Sequence, residues 1–386
     1  MLDPIIAFFT RIFALVGKGI GMVIGWFLWP FLAVHAWYKR QKWLIRVPVA
    51  LLVLAIIVGY GYFFYATQFW HGYDRDYAKN LIKDAKLVSA GSRETSTATA
   101  TGLAEDSSDS AAPAGRCEPS RMVSVTADLI DFSVNQNNWV PSMLLSKFGM
   151  FFITDWKSTP FMDNKAAFQL GVLQTLRRTS VELVDRLGRV RGTSSIDQNL
   201  QNTRQYLAYD EDSWYFSFEP FGPRSTAQAN YRRGIVALRA FNKDLAACKA
   251  NFDARPDNLL QFLDRVTSDI GSTSDILRRR MEASNAGWFD PRADDRFWFA
   301  YGQLYGYYGI LTAARADFAD VFQNRNLEQL WIRTEEQLRS SLNLTPAVIS
   351  NGHESSWIMP THLATMGFYL LRVRSNLVEI RDVLDR

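Results

Sequence analysis

Residues 47–66, from Val47 to Ala66, contain no charged side chain, and this run limits the chain more than any other feature. A helix needs about 20 apolar residues to cross the hydrocarbon core of a bilayer. Immediately before the run stand Lys39, Arg40, Lys42 and Arg46, a basic cluster of the kind held on the cytoplasmic side. Everything after residue 66 is then expected across the membrane. A cleavable signal would need a short head, a shorter apolar core and small residues at the cut. Here the head is long and the run closes on Tyr62-Phe63-Phe64-Tyr65, which suits an aromatic belt at the interface. The segment reads as an anchor.

A second uncharged run, residues 19–38, has the length of another span, although Pro30 and several glycines soften it. If it spans, the two helices form a hairpin around the basic turn at 39–46. If it lies in the interface, Arg11 and Lys18 mark its wet side. Gly17, Gly21 and Gly25 repeat at four-residue spacing, a face that lets membrane helices approach closely. It serves either self-association or packing against the helix at 47–66. The segment before residue 47 is too small and too apolar to hold a cytoplasmic output domain.

The whole chain carries 43 Lys and Arg against 39 Asp and Glu. Six of the bases and one of the acids precede residue 47, so the remainder is close to neutral. A nucleic-acid binder would show a basic face on its folded domain, and no nucleic-acid partner is expected. Cys117 and Cys248 both fall on the far side of the anchor, where an oxidising compartment allows a disulfide. They are a candidate bridge or two separate thiols, with Cys117 lying just outside the expected fold. No ligand spacing points to a metal, and no cofactor is expected.

The composition divides the chain into a membrane-associated segment and basic turn (1–46), a transmembrane helix (47–67), a charged juxtamembrane helix (68–88), a Ser/Thr/Ala-rich linker (89–121) and a folded domain (122–386). The linker cannot bury enough apolar surface to offset its ordering entropy. As a coil of about 27 residues it would reach roughly 25–30 Å on average, a tether that frees the domain from the membrane. Within the domain helical periodicity dominates. Phe168, Val172, Leu176, Leu183, Val184 and Leu187 keep to one face, behind Asp163 or Asn164 as cap. Further helices are expected from Ser225, from Pro256, from Asp290-Pro291 to about Phe322, over 326–342, and from Pro360 to the end. Trp214–Phe218 is the one good strand signal. The fold class is mainly α: a membrane anchor of one or two helices followed by an all-helical, bundle-like domain.

Two pieces, Trp139-Val140-Pro141-Ser142 and Asp163-Asn164-Lys165-Ala166-Ala167-Phe168-Gln169-Leu170-Gly171, together with the anchor and the helical remainder, resemble a bacterial family known as domain of unknown function 2333. The resemblance covers most of the chain after the linker. It implies an envelope protein of the bacterial inner membrane whose helical domain lies in the periplasm, and it brings no catalytic residues.

The other constellations have bland and sharp readings. His35, His71, His353 and His362 are scattered, and His353-Glu354 lacks the second histidine of a zinc-protease motif. Glu354-Ser355 beside Trp357 is similar to the catalytic-glutamate element of lytic transglycosylases, in which a glutamate protonates a glycosidic oxygen. The Gly-Leu-Met-Gln element of those enzymes is missing, and Glu354 fits a helix N-terminus equally well. Phe297–Gly309 is rich in aromatics, and Gly302 and Gly306 share a face that would admit another helix. Trp298, Tyr301, Tyr305 and Tyr308 form a candidate binding surface for a glycan, a lipid or a partner protein, or else a buried central helix. Residues 139–153, with Lys147 among apolar neighbours, form a shorter patch that docks on the membrane or folds into the core. Arg177-Arg178 and Arg278-Arg279-Arg280 are expected on solvated faces. These features favour a non-enzymatic scaffold or adaptor, partnered by the bilayer and by an envelope protein or a second copy. The alternatives are a module binding lipid or another apolar ligand and, more remotely, a cell-wall glycan hydrolase using Glu354.

Overall fold

The computed structural model describes residues 22, 25, 26, 28–83, 90–92, 117–149, 156, 159, 161–189, 196–218, 220–283, 290–353 and 360–386. The chain divides into two compact units, Met1–Tyr62 and Phe63–Arg386.

In the first unit, helix α1 (residues 28–40) is followed by α2 (Trp43–Gln68), which runs on into the second unit. Among the described residues, α2 is the one helix long and apolar enough to cross a membrane. Side chains such as Leu52 and Ile57 are exposed along it. Phe31, Val34 and Tyr38 line one cleft with Val49, Val53 and Ile57, so α1 folds back along α2. The basic turn is held by Arg46, which donates from Nε to the Tyr38 carbonyl at 3.2 Å and from its other nitrogen to that of Lys39. The run at 19–38 is described only in part, and Gly17 and Gly21 lie outside the described residues. Gly25 faces open space.

The second unit is helical, with two minimal hairpins. Its helices are α3 (Tyr77–Lys83), α4 (Arg121–Asp131), α5 (Leu144–Phe148), α6 (Asn164–Glu182), α7 (Gln198–Leu207), α8 (Ala227–Ala246), α9 (Pro256–Ala283), α10 (Ala293–Asp317), α11 (Ala319–Arg325), α12 (Glu328–Ser341) and α13 (His362–Leu384). Side chains start several of them. Thr226 accepts from the Ala229 N–H at 3.1 Å to open α8, Thr361 caps α13 in the same way, and Pro256 takes the first position of α9. α4 is capped twice: Ser120 accepts from the Val123 N–H, and the buried Asp317 carboxylate accepts from the N–H groups of Arg121 and Met122. α6 ends in one π-turn, Leu183–Leu187, and Phe168, Val172, Leu176, Leu183, Val184 and Leu187 are all buried.

Helix α10 is the axis of the body and packs against α3, α4, α6, α9, α12 and α13. Every residue from Ala300 to Ala314 is buried, as expected of a helix apolar on all sides. Its closest neighbour is α6. A side chain on Gly302 would overlap the Phe168 carbonyl, one on Gly171 would overlap that of Phe299, and Gly306 lies against Thr175. The glycines therefore let two helix backbones touch.

The expected domain boundaries need correction. The folded body starts at Phe63, not at residue 122: Ala78 and Ala90 are in its core, and Trp70, Tyr73, Tyr77 and Leu81 pack against that core. A turn at 69–76 separates α2 from α3, so 68–88 is not one helix. Residues 93–116 lie outside the described residues, but both ends of that stretch are fixed. Strand β1 (Gly91–Ser92) pairs antiparallel with β2 (Cys117–Glu118), and a disulfide joins Cys117 to Cys248 at the end of α8. The described residues on either side of the Ser/Thr/Ala-rich stretch, 90–92 and 117–118, thus belong to the body and not to a linker before it. The strand at Trp214–Phe218 survives as β3 (Phe216–Phe218), which pairs with β4 (Phe221–Pro223) in a hairpin.

Candidate functional site at the end of the apolar helix

The last turns of α2 are built into the second unit. Phe63, Ala66 and Thr67, spaced as one helical face, are buried, while Phe64 and Tyr65 face outwards. The buried face meets Val140, Trp156 and Ala166 in a small core of its own, with Met143, Leu145 and Met162 packed around it. The Phe63 and Trp156 rings meet edge to face at 6.3 Å.

The helix end leaves carbonyl groups without intrahelical donors, and Lys165 supplies one. Its ammonium donates to the carbonyls of Ala66 at 2.9 Å and Phe69 at 2.7 Å, a cation at the negative end of the helix. Lys165 is itself buried, which pushes its pKa down to about 8. Gln68 donates to the Phe161 carbonyl at 2.7 Å. His71 and Asn137 exchange two hydrogen bonds, N–H to Oδ1 at 3.0 Å and Nδ2 to carbonyl at 2.8 Å. Gly72 takes a left-handed φ of 67°, and a side chain there would overlap Gln136. These contacts turn the chain onto α10.

There Trp70, Tyr73 and Tyr77 lie on the aromatic face of α6 and α10. The Trp70 ring sits 4.9 Å from Phe168 and 5.4 Å from Trp298, and Tyr73 stacks on Tyr305 at 5.6 Å. The Tyr301 hydroxyl donates to the Leu342 carbonyl at 2.8 Å and is paired with the Tyr73 hydroxyl, so Tyr73 is the donor to Tyr301. Burial raises the pKa of Tyr73, Tyr301 and Tyr305 and takes that of Tyr308 to about 12. The phenols stay neutral.

Of the four aromatic residues singled out as a binding surface, Tyr301, Tyr305 and Tyr308 are buried and Trp298 is half-buried. The structure brings them together, but as the floor beneath the chain's own residues 70–77 and not as an open face. Trp70, Tyr73, Tyr77 and Lys165 are the site residues that sequence reasoning missed. Spacings of three and four along Trp70, Tyr73 and Tyr77 were visible, but the charges between them suggested a solvated helix.

Beside this junction lie two buried acids whose carboxylates have no side-chain hydrogen bond among the described residues. Neither carboxylate oxygen of Asp163, the cap residue of α6, nor of Asp294, in the first turn of α10, has a side-chain partner. Backbone N–H groups of Thr159 and Asp163 draw the Asp163 carboxyl down in part, as those of Asp294 and Asp295 do for Asp294. Burial, then the neighbouring charges of Asp295 and Asp294, raises Asp163 to about 9; burial and the Asp295 charge raise Asp294 to about 7. Among the described residues no three His, Cys, Asp or Glu side chains could hold a metal ion together. Glu354, the candidate glycosidic acid, lies outside the described residues.

The arginine runs are less solvated than their composition suggests. Arg177 donates to the carbonyls of Leu207 and Tyr209 and to Glu211, and Arg280 grips the buried Asp290. Arg278 and Arg279 pair on the surface with Asp275. His362 accepts from the Ser350 N–H at 3.0 Å through Nδ1, which fixes its neutral ring, and burial lowers its pKa.

Neither the curated proteins nor the solved structures contain a match to this chain. The family model DUF2333, described as an uncharacterized protein conserved in bacteria, matches residues 132–287 and 279–386, and with most of its folded body so covered the chain belongs to that family.

Proposed function

We propose that this protein is anchored by α2 in the bacterial inner membrane, holds its folded body in the periplasm, and works there as a non-enzymatic scaffold or adaptor. The observation that carries the reading is the union of the helix end with the core. Trp70, Tyr73 and Tyr77 fill the aromatic face of α10, and Lys165 caps α2. A body whose packing takes in the end of its own apolar helix suits presentation of a surface to a partner. The disulfide between Cys117 and Cys248 supports an oxidising compartment for the body, and the basic turn before α2 supports the orientation.

A module for an apolar ligand would need a cavity beside the 297–309 aromatics; the described residues Trp70, Tyr73 and Tyr77 occupy the side of Trp298, Tyr301, Tyr305 and Tyr308 that they touch. The deciding experiment is native mass spectrometry of the full-length protein extracted gently from its own membrane. A defined complex with another envelope protein, or a homo-oligomer, is the expected result. A monomer would overturn the adaptor reading, and a monomer carrying stoichiometric lipid would put the binding module in its place.

A further inference from the structure

We infer that the segments packed around residues 63–69 form a collar seated in the membrane interface, so that the folded body rests partly in the bilayer and not above it. The inference rests on the reading of α2 as a membrane span and adds a second contact with lipid.

The first argument is depth. α2 is continuous from Trp43 to Gln68, and Arg46 is its last charged residue. A hydrocarbon core of about 30 Å, at about 1.5 Å per residue, takes roughly 20 residues, which ends the core near Ala66. Yet Phe63 is already only 2% exposed, covered by Val140, Trp156 and Ala166. Phe63 lies three residues, or about 4.5 Å, short of that boundary. The elements that cover it must therefore reach the same depth.

The second argument is the chemistry of what those elements turn outwards. Leu144 on α5 is 38% exposed and Phe161 is 47% exposed, while Phe64, Tyr65 and Phe69 are exposed on the uncovered side of the same level. Single exposed apolar side chains need no explanation. Five of them around one level of a membrane helix, three aromatic rings on one side and two residues on the collar, match an interfacial belt. Lys147, exposed on α5, supplies a cation of the length that reaches phosphate headgroups.

The third argument is polar satisfaction. Where water is scarce, backbone groups need partners within the protein. At this level the carbonyls of Ala66, Phe69 and Phe161 all accept from side chains, Lys165 for the first two and Gln68 for the third.

The test uses the full-length protein in phosphatidylcholine–phosphatidylglycerol vesicles with its disulfide intact. Nitroxide labels are placed at Leu144→Cys and Phe161→Cys, with Leu52→Cys in mid-helix and Val236→Cys on the exposed side of α8 as references. Power saturation compares collision with oxygen, which partitions into lipid, and with a water-soluble nickel chelate. The ratio of oxygen to nickel accessibility at 144 and 161 is expected to lie several-fold above that at 236 and below that at 52. If 52 is lipid-exposed while either collar label matches 236, the seated collar is wrong and the span survives. A water-exposed label at 52 would remove the span, and this inference with it.

Discussion

The Tyr77 ring stacks on that of Tyr305 with centroids 4.5 Å apart, and the Tyr77 hydroxyl donates to the Tyr305 carbonyl at 2.7 Å, across 228 residues of sequence. Gly309, one turn further along α10, makes the approach feasible, since a side chain there would overlap the same hydroxyl. The segment that follows the apolar helix is therefore a structural layer of the domain. That layer alters which pieces of the chain are stable alone.

A fragment of residues 122–386, cut where the composition changes, is expected to fold poorly. It lacks Trp70, Tyr73, Tyr77, Ala78 and Ala90, and so bares the aromatic face of α10 to water. Each buried aromatic residue removed costs about 3–5 kcal/mol in other cores, and a domain has only about 5–15 kcal/mol to lose. Residues 63–386 should keep a sharp near-UV circular-dichroism spectrum and a cooperative melt, while 122–386 loses both and binds a hydrophobic dye. Equal melts for the two fragments would show that the layer contributes nothing.

The disulfide should matter more than its surface position suggests. Cys117 and Cys248 are 131 residues apart, and closing a loop that long removes about 4–5 kcal/mol of unfolded-state freedom in the chain-entropy model. The bridge also pins β2, which pairs with β1. Reduction, or the double change Cys117→Ser with Cys248→Ser, is expected to lower the melting temperature clearly. Thermal melts of the detergent-solubilised protein with and without reductant check this, and identical melts would count against it.

The helices of the second unit were largely legible because their apolar residues repeat at helical spacing and their caps are explicit. Phe168 to Leu187, the proline at 256 and the glycines at 302 and 306 all announce what the structure does with them. α4 and α7 were not legible. α7 buries only Leu200, Thr203 and Leu207 in a polar sequence, too little for a periodic signal. The domain boundary failed for a different reason. A Ser/Thr-rich stretch looks the same whether it joins two bodies or closes a loop on one, and what distinguishes them here is long-range: β1 with β2, Tyr77 with Tyr305, Lys165 with Ala66. The aromatic run at 297–309 was correctly seen as unusual, but whether it faces a ligand or its own chain depends on those same distant contacts.

The crossing of α6 and α10 gives a sharper test of packing. Gly302→Ala adds one methyl group, yet it would overlap the Phe168 carbonyl, and backbone cannot swing aside as a side chain can. Overpacking of this kind costs about 1–3 kcal/mol, occasionally more. Gly367→Ala, on α13 with open space around it, should instead be neutral or slightly stabilising through helix propensity. Urea unfolding of the two variants should show similar slopes, and the midpoint difference multiplied by that slope should equal this amount. A tolerated Gly302→Ala would mean that the two backbones are further apart than described.

Buried carboxyls predict an unusual response to pH. Burial is the main cause that raises Asp163 to about 9, Asp294 and Glu335 to about 7, and Asp317 to about 6. A carboxyl whose folded value lies above its unfolded one binds more protons in the folded state. Its contribution is complete below about pH 4 and is lost as pH rises through the folded value. Stability should therefore climb when pH falls from 8 to 5, the reverse of ordinary acid denaturation. Lys165, lowered to about 8, adds slope only above that value. Below about pH 4 the trend should turn. Burial pushes the Asp290 carboxyl up, but hydrogen bonds from Arg280, Asn351 and the Arg292 N–H outweigh it and hold the group below its usual range, so its protonation loses those bonds. Asp163→Asn removes a buried carboxyl that stands near the charges of Asp294 and Asp295. It is expected to stabilise the protein by about 1–3 kcal/mol at pH 8 and by less at pH 5. Melting curves at the two pH values decide the matter: a wild type more stable at pH 8, or a variant weaker there, would show that Asp163 has a charged partner in the folded protein.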